Sequence, residues 1–156
     1  MKRPVKLYNV LFPIWVLYFF PQVWIITLPG NLLIDCAVLL LTLTALRHAG
    51  KKAVLRQLWW KFWLLGFLAD FIGAAARAGG VWSDITRAFF TTPFRSLPAL
   101  LFTLAGVALA GICIYFFDRR AMRGCVLLTN REKGHIALTM AVFTAPWTFL
   151  IPLYGW

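Results

Sequence analysis

The sequence contains few acidic residues, few cysteines and few histidines. Only 5 of its 156 residues are Asp or Glu, against 16 Lys or Arg, which gives a formal net charge of +11. The three cysteines show no CxxC or other metal-ligand spacing, and the two histidines are not paired. HExxH, P-loop and GxSxG patterns do not occur either. These absences exclude the motif-based zinc, nucleotide and serine-hydrolase sites, and no disulfide, metal or cofactor is expected.

The chain is instead rich in apolar residues. Hydrophobic side chains make up 62% of it, and its mean hydropathy is +0.78, which is too apolar for an ordinary soluble domain. In a soluble protein a charge of +11 suggests nucleic acid as a partner. Here the positive residues flank long apolar runs, which indicates membrane topology and anionic lipid headgroups instead. The composition therefore predicts an all-α, polytopic integral membrane bundle that binds no nucleic acid.

The apolar runs divide the chain into about five transmembrane helices within one membrane domain, residues 1–156. The first two are separated by an expected turn at Pro29-Gly30-Asn31. A short interfacial helix is expected between the third and fourth, in residues 83–96, because a capping Ser or Asp precedes an apolar face there. The predicted spans are residues 7–28, 31–46, 62–82, 97–117 and 136–153.

Basic residues are concentrated in three segments. The N-terminal residues, residues 47–61 and residues 118–133 hold 13 of the 16 Lys and Arg. Five spans place all three segments on one side of the membrane, and the positive-inside rule makes that side cytoplasmic. The sequence thus predicts a plasma (inner) membrane protein with its N-terminus in the cytoplasm and its C-terminus outside. His48 and His135 are interpreted as single, solvated interfacial residues of this side.

The first basic loop is expected to lie on an anionic leaflet, where each cation contributes about 1 kcal/mol. The residues predicted to contact lipid headgroups are Arg47, Lys51, Lys52, Arg56 and Lys61.

The third span carries charges although it is long enough to cross a bilayer of about 30 Å. Gly66, Asp70, Gly73, Arg77 and Gly80 follow steps of four and three, which places them on one helix face. Small residues allow close helix contact. Gly66, Gly73 and Gly80, together with Gly106 and Ala110 of the fourth span, are therefore predicted to be helix-packing positions.

Asp35, Asp70 and Arg77 form a predicted intramembrane polar network. A charge in the bilayer costs about 2.5–3.5 kcal/mol on insertion scales, so each needs a partner or a polar cavity. Asp35 and Arg77 are expected at similar depth and are predicted to pair, which leaves Asp70 as the candidate proton-binding group. Two interpretations stay open: an ion pair that only locks the bundle, and a proton or ion site.

Two short fragments resemble parts of known families. ADFIGAAAR is similar to the GxxAR portion of the CDP-alcohol phosphatidyltransferase motif, but Ile72 stands where that motif has an acid, and its downstream aspartates are missing. PGNLLID resembles the GNLID of lipoprotein signal peptidases, in which two intramembrane aspartates activate water, but it has an extra Leu and no Arg after Asp35. Neither fragment carries enough of its motif to assign its chemistry.

Three functions are compatible with the sequence. The first is a small plasma-membrane protein without intrinsic catalysis, acting as an accessory or interaction subunit of a membrane complex or as a homo-oligomer. The second is a small proton- or ion-coupled transporter that uses Asp70. The third is a membrane-embedded enzyme that uses Asp35 and Asp70. Short loops and small-residue helix faces favour the first, so enzymatic activity is not the leading expectation.

Overall fold

The computed structural model describes residues 21–78, 94 and 97–150, and the described chain is helical. Helix α1 spans Pro21–Ala45, α2 spans Lys51–Ala78, α3 spans Leu97–Ala121 and α4 spans Asn130–Phe143, followed by a short 3-10 helix at Trp147–Leu150. No strand occurs within these ranges, so the all-α prediction is confirmed.

Three of the helices are long and apolar enough to cross a membrane. The qualifying stretches are Ile25–Ala45 in α1, Lys51–Ala75 in α2 and Leu100–Ala121 in α3. Their outward side chains are large and apolar, including Ile26, Leu101 and Phe116, as expected of surfaces that face lipid. The chain therefore has the character of a membrane protein, and its described residues contain three membrane-capable helices. The predicted number of five spans is not confirmed.

The predicted turn between the first two spans is wrong. Pro29, Gly30 and Asn31 lie inside α1, which continues without a break from Pro21 to Ala45. A proline is tolerated inside a membrane helix when neighbouring groups satisfy the freed backbone atoms. Pro29 frees the carbonyl of Ile25, four residues earlier. The indole Nε1 of Trp63 donates to a different carbonyl, that of Leu28, at 3.1 Å and links α2 to α1 beside the proline. Residues 7–20 of the predicted first span lie outside the described residues.

The start of the predicted third span is also corrected, because α2 begins at Lys51 and not near residue 62. The basic residues 51–61 form its first three turns. Val54, Leu58 and Phe62 recur every four residues and are completely buried or nearly so, whereas Lys52 and Arg56 are exposed. This amphipathic pattern is typical of a helix with one buried face. Residues 51–61 are therefore helical, although their charge suggests a loop.

The predicted fifth span, residues 136–153, is not one helix. Helix α4 ends at Phe143, and the backbone N–H and the hydroxyl of Thr144 both donate to the carbonyl of Met140. Pro146 follows, and the residue before a proline avoids the α conformation. With 14 residues, α4 is about 21 Å long and shorter than the hydrocarbon core. The interfacial helix predicted at 83–96 lies almost wholly outside the described residues.

The two basic segments lie at the same end of the bundle, which we call the basic end. The Nδ1 of His48, in the loop after α1, lies 2.9 Å from Glu132 Oε1 in the first turn of α4. The thiol of Cys125, in the loop before α4, donates to Gln57 of α2 at 3.3 Å. A core of aliphatic, methionine and cysteine side chains fills the space between the helices near this end. Its most buried members include Leu43, Leu58, Ile114, Met122, Ile136, Ala137 and Met140.

Candidate functional site: three buried carboxyl groups

Three aspartates are buried inside the helix bundle. Asp35 of α1 is 4% exposed, Asp70 of α2 is 3% exposed, and Asp118 of α3 is 1% exposed. Each lies in one of the three membrane-capable stretches. Burial of ionised carboxylates is rare unless they are paired, and within a membrane an ionisable residue marks a functional site by default.

Helix register places the three acids in a sequence along the bundle. Asp35 Oδ2 lies 3.7 Å from the point where a Cβ at Gly66 would sit, so Asp35 faces α2 one helical turn from Asp70. Gly73 of α2 lies against Gly106 and Ala110 of the antiparallel α3. Ten residues from this contact toward the basic end lie Trp63 on α2 and Asp118 on α3, so these two residues are at about the same level. Trp63 is roughly one turn from Gly66.

The order along the bundle is therefore Asp118, Asp35 and Asp70, counted from the basic end, over about 10 Å. We call this arrangement the aspartate line.

Most oxygens of the aspartate line have no hydrogen-bond partner within the described part of the chain. The unsatisfied atoms are Oδ2 of Asp35, Oδ1 of Asp70 and both carboxylate oxygens of Asp118. Leaving a buried polar atom unpaired costs about 1–3 kcal/mol, and more for a charged group. Within the described part of the chain, the packing energy of the bundle must offset this cost.

Arg77 does not lie level with Asp35. Asp35 faces Gly66, and Arg77 follows eleven residues later on α2, about 16 Å along the axis. This axial offset is larger than the similar depth from which the Asp35–Arg77 pair is predicted. The Arg77 side chain lies outside the described residues, so its partner stays a prediction.

The predicted packing residues occupy different places. Gly73 meets Gly106 and Ala110 at the α2–α3 contact, whereas Gly66 leaves the space that faces the Asp35 carboxyl group. Gly80 lies outside the described residues. Of the predicted headgroup contacts, Arg47, Lys52 and Arg56 are exposed, and Lys51 and Lys61 are half-buried, all at or near the basic end.

Asp118 was assigned by sequence to the second basic loop, and its place in the site was missed. The residues after it, Arg119 and Arg120, are charged and exposed, so the local sequence does not indicate that Asp118 is buried. The signal is the spacing of the α3 face: Val107, Ala110 and Ile114 are buried, and steps of three and four continue to Asp118.

A contact between the loop after α1 and the first turn of α4 joins the two basic segments. Thr129 caps α4, and its hydroxyl and backbone N–H hydrogen-bond with Glu132 in a capping box. These bonds, together with the His48 contact, lower the pKa of Glu132 to about 2. His48 is thus a half-buried link between α1 and α4, not the solvated interfacial residue expected from sequence.

The chemistry that the site offers is proton binding. Among the residues that the structure describes, no group of His, Cys, Asp and Glu could hold a metal ion, and all three cysteines are free. A carboxyl group that is buried without a cation can avoid the cost of its charge by taking up a proton. The aspartate line therefore places three buried carboxyl groups, each able to bind a proton, within about 10 Å along the axis of a membrane-capable bundle.

Comparison with known proteins identifies no family whose chemistry could be compared with that of this site. Neither a protein-family model, nor a curated protein, nor a solved structure matches the chain.

Proposed function

We propose that the protein is a small, multi-pass plasma-membrane protein that moves or couples protons through the aspartate line. The observation that carries this proposal is the burial of three carboxyl groups on three different helices, in sequence along the bundle, with oxygens that have no hydrogen-bond partner among the described residues. Asp118 receives protons at the basic end, Asp35 relays them, and Asp70 lies deepest. Chains of acidic residues that face a bundle interior serve as proton relays in membranes.

Proton flux in vesicles tests the proposal directly. The purified chain is reconstituted in liposomes with an entrapped pH-sensitive dye, and a potassium diffusion potential drives proton entry. We expect flux from the unmodified chain and loss of most of it in D35N, D70N and D118N. Asn keeps the shape of each side chain and removes the exchangeable proton.

E132Q is the matched control, because it removes an acid outside the aspartate line and should leave flux unchanged. Infrared difference spectra give an independent readout, since each Asn variant should lose one protonated-carboxyl band. Flux that persists in all three variants contradicts the proposal, as does the absence of any protonated-carboxyl band in the unmodified chain.

A second candidate is an accessory subunit of a membrane complex, with no catalysis of its own. The observation that favours it is the uncovered surface of α1, on which Ile25, Ile26, Leu33 and Leu41 are 70–76% exposed. A partner helix fits this surface as well as lipid does. Extraction in mild detergent followed by native mass spectrometry separates the candidates: a second protein at fixed stoichiometry, with no flux from the chain alone, supports the accessory role.

We propose that the basic end faces the cytoplasm by the positive-inside rule. Helix α1 ends at the basic end, so its first residue, Pro21, lies at the opposite end. The predicted cytoplasmic side of the N-terminal Lys2, Arg3 and Lys6 therefore requires residues 1–20 to cross the membrane as well. The C-terminus is then outside. Support comes from Phe149, which packs beside Gly73 of α2 and Val107 of α3, far from the basic end.

A further inference from the structure

The surface between α3 and α4 contains an elongated groove that the aspartate line does not use. Its volume is about 820 Å³, within the range of small-molecule sites. The groove runs along α3 from Val107 to Arg119, which is about 18 Å of helix. One leaflet of the hydrocarbon core is about 15 Å thick, so the groove matches the depth of a single leaflet.

The wall of the groove is divided by polarity. Most of its length is apolar, with Ile112 and Phe116 from α3 and Leu138 and Val142 from α4. Arg119 and Arg131 line it at the basic end. Among its lining residues, all within the described part of the chain, none is acidic.

Arg119 is held in place at the mouth of the groove. Its Nη1 donates to the Tyr115 hydroxyl at 2.7 Å, and its guanidinium carbon lies 5.9 Å from the centre of the Tyr115 ring. A Cβ at Gly134 would lie 3.7 Å from the same nitrogen, so the glycine lets the guanidinium group rest against α4. These contacts leave the other N–H donors of the guanidinium group for a ligand at the mouth of the groove.

From this arrangement we infer that the α3–α4 groove binds one anionic phospholipid. An acyl chain occupies the apolar length, and the headgroup phosphate is bound by Arg119 and Arg131. Arginine is well suited to this role because its planar fork matches phosphate geometry. Charge complementarity selects an anionic lipid over a partner helix, since the two cations lie at one end of a groove whose remaining length is mostly apolar.

Native mass spectrometry of the delipidated full-length chain tests the inference. Phosphatidylglycerol and phosphatidylcholine with identical acyl chains are added in equal amounts. We expect one phosphatidylglycerol to bind in preference to phosphatidylcholine. The double variant R119Q/R131Q should lose about fivefold in phosphatidylglycerol affinity for each cation removed.

Two matched controls separate the groove from general effects. R120Q/R123Q removes the same charge from exposed residues of the basic end that do not line the groove, and should keep the preference. A108F fills the groove from an exposed lining position and should weaken binding of both lipids, whereas A105F adds the same bulk outside it.

Three results would overturn the inference. Equal binding of the two lipids by the unmodified chain would show that the groove has no headgroup site. This measurement does not depend on the folding of any variant. Equal losses of phosphatidylglycerol affinity in R119Q/R131Q and R120Q/R123Q would show that net charge alone, and not the groove, determines the lipid preference. A dimer that A108F dissociates shows that a second copy of the chain occupies the groove.

Discussion

Glu132 owes its low pKa to contacts that only the folded chain provides. Its carboxylate accepts hydrogen bonds from the Thr129 backbone and hydroxyl and contacts His48, which lowers its pKa to about 2 from an ordinary value of 4.5. A depressed pKa means that the contribution to stability is complete above about pH 4.5 and is lost as the pH falls toward 2.

Replacing Glu132 by Gln should therefore flatten the acid side of the stability profile. Thermal unfolding in detergent, followed by tryptophan fluorescence at pH 5 and pH 3, gives the measurement. We expect the melting temperature of the unmodified chain to fall more between these pH values than that of E132Q. Equal falls in both proteins would show that Glu132 keeps no special contacts in the folded state.

Gly73 shows which of the predicted packing glycines is irreplaceable. A Cβ there would come within 2.9 Å of both the Ala110 Cβ and the Gly106 carbonyl oxygen, so α2 and α3 must separate to admit it. Gly30 of α1 has nothing within 4 Å of the same position.

We expect G73A to destabilise the bundle by about 1–3 kcal/mol, the usual range for overpacking. G30A should be neutral or stabilising by up to about 1 kcal/mol, because alanine favours the helix. The two variants make the same chemical change in two helices, so thermal unfolding in one detergent compares them directly. A similar loss of stability in both variants would show that the destabilisation arises from the backbone and not from the α2–α3 contact.

At the scale of the helices, apolar composition was sufficient to predict helix type but not helix ends. The all-α class and the apolar stretches follow from runs of hydrophobic residues. The boundaries fail where local signals oppose the membrane environment: Pro29 suggests a turn but lies inside α1, and the charges of residues 51–61 suggest a loop but form the start of α2. Pro146 has the opposite effect and ends a run that hydropathy alone extends.

The candidate site could be predicted only in part, because burial of a charged residue depends on the helix face on which it lies. Asp35 and Asp70 stand out because each interrupts an apolar run, whereas Asp118 is next to exposed arginines and its burial depends on the α3 face it shares with Ile114. The register of Asp35 against Gly66 depends on α1 being one helix through Pro29. No single-sequence pattern contains that tertiary information.

At the scale of the whole molecule, the antiparallel helices bring ten of the sixteen basic residues to or near one end. They lie in residues 47–61 and 119–133, and the His48–Glu132 contact joins the two segments. Such an asymmetry sets orientation in a membrane, because basic loops are retained in the cytoplasm. The basic end is then also where Asp118 begins the aspartate line and where Arg119 marks the α3–α4 groove.

Cysteine labelling tests this orientation in intact cells. In a chain whose Cys36, Cys113 and Cys125 are replaced by alanine, V126C adds a thiol at a residue that is 97% exposed in the loop of the basic end. We expect a membrane-impermeant maleimide to leave V126C unlabelled until the membrane is permeabilised. F94C is the matched site, because Phe94 is 58% exposed and precedes α3 at the opposite end. It should be labelled from outside, and the reverse pattern would place the basic end outside the cell and turn the proposed entry of protons at Asp118 into their exit.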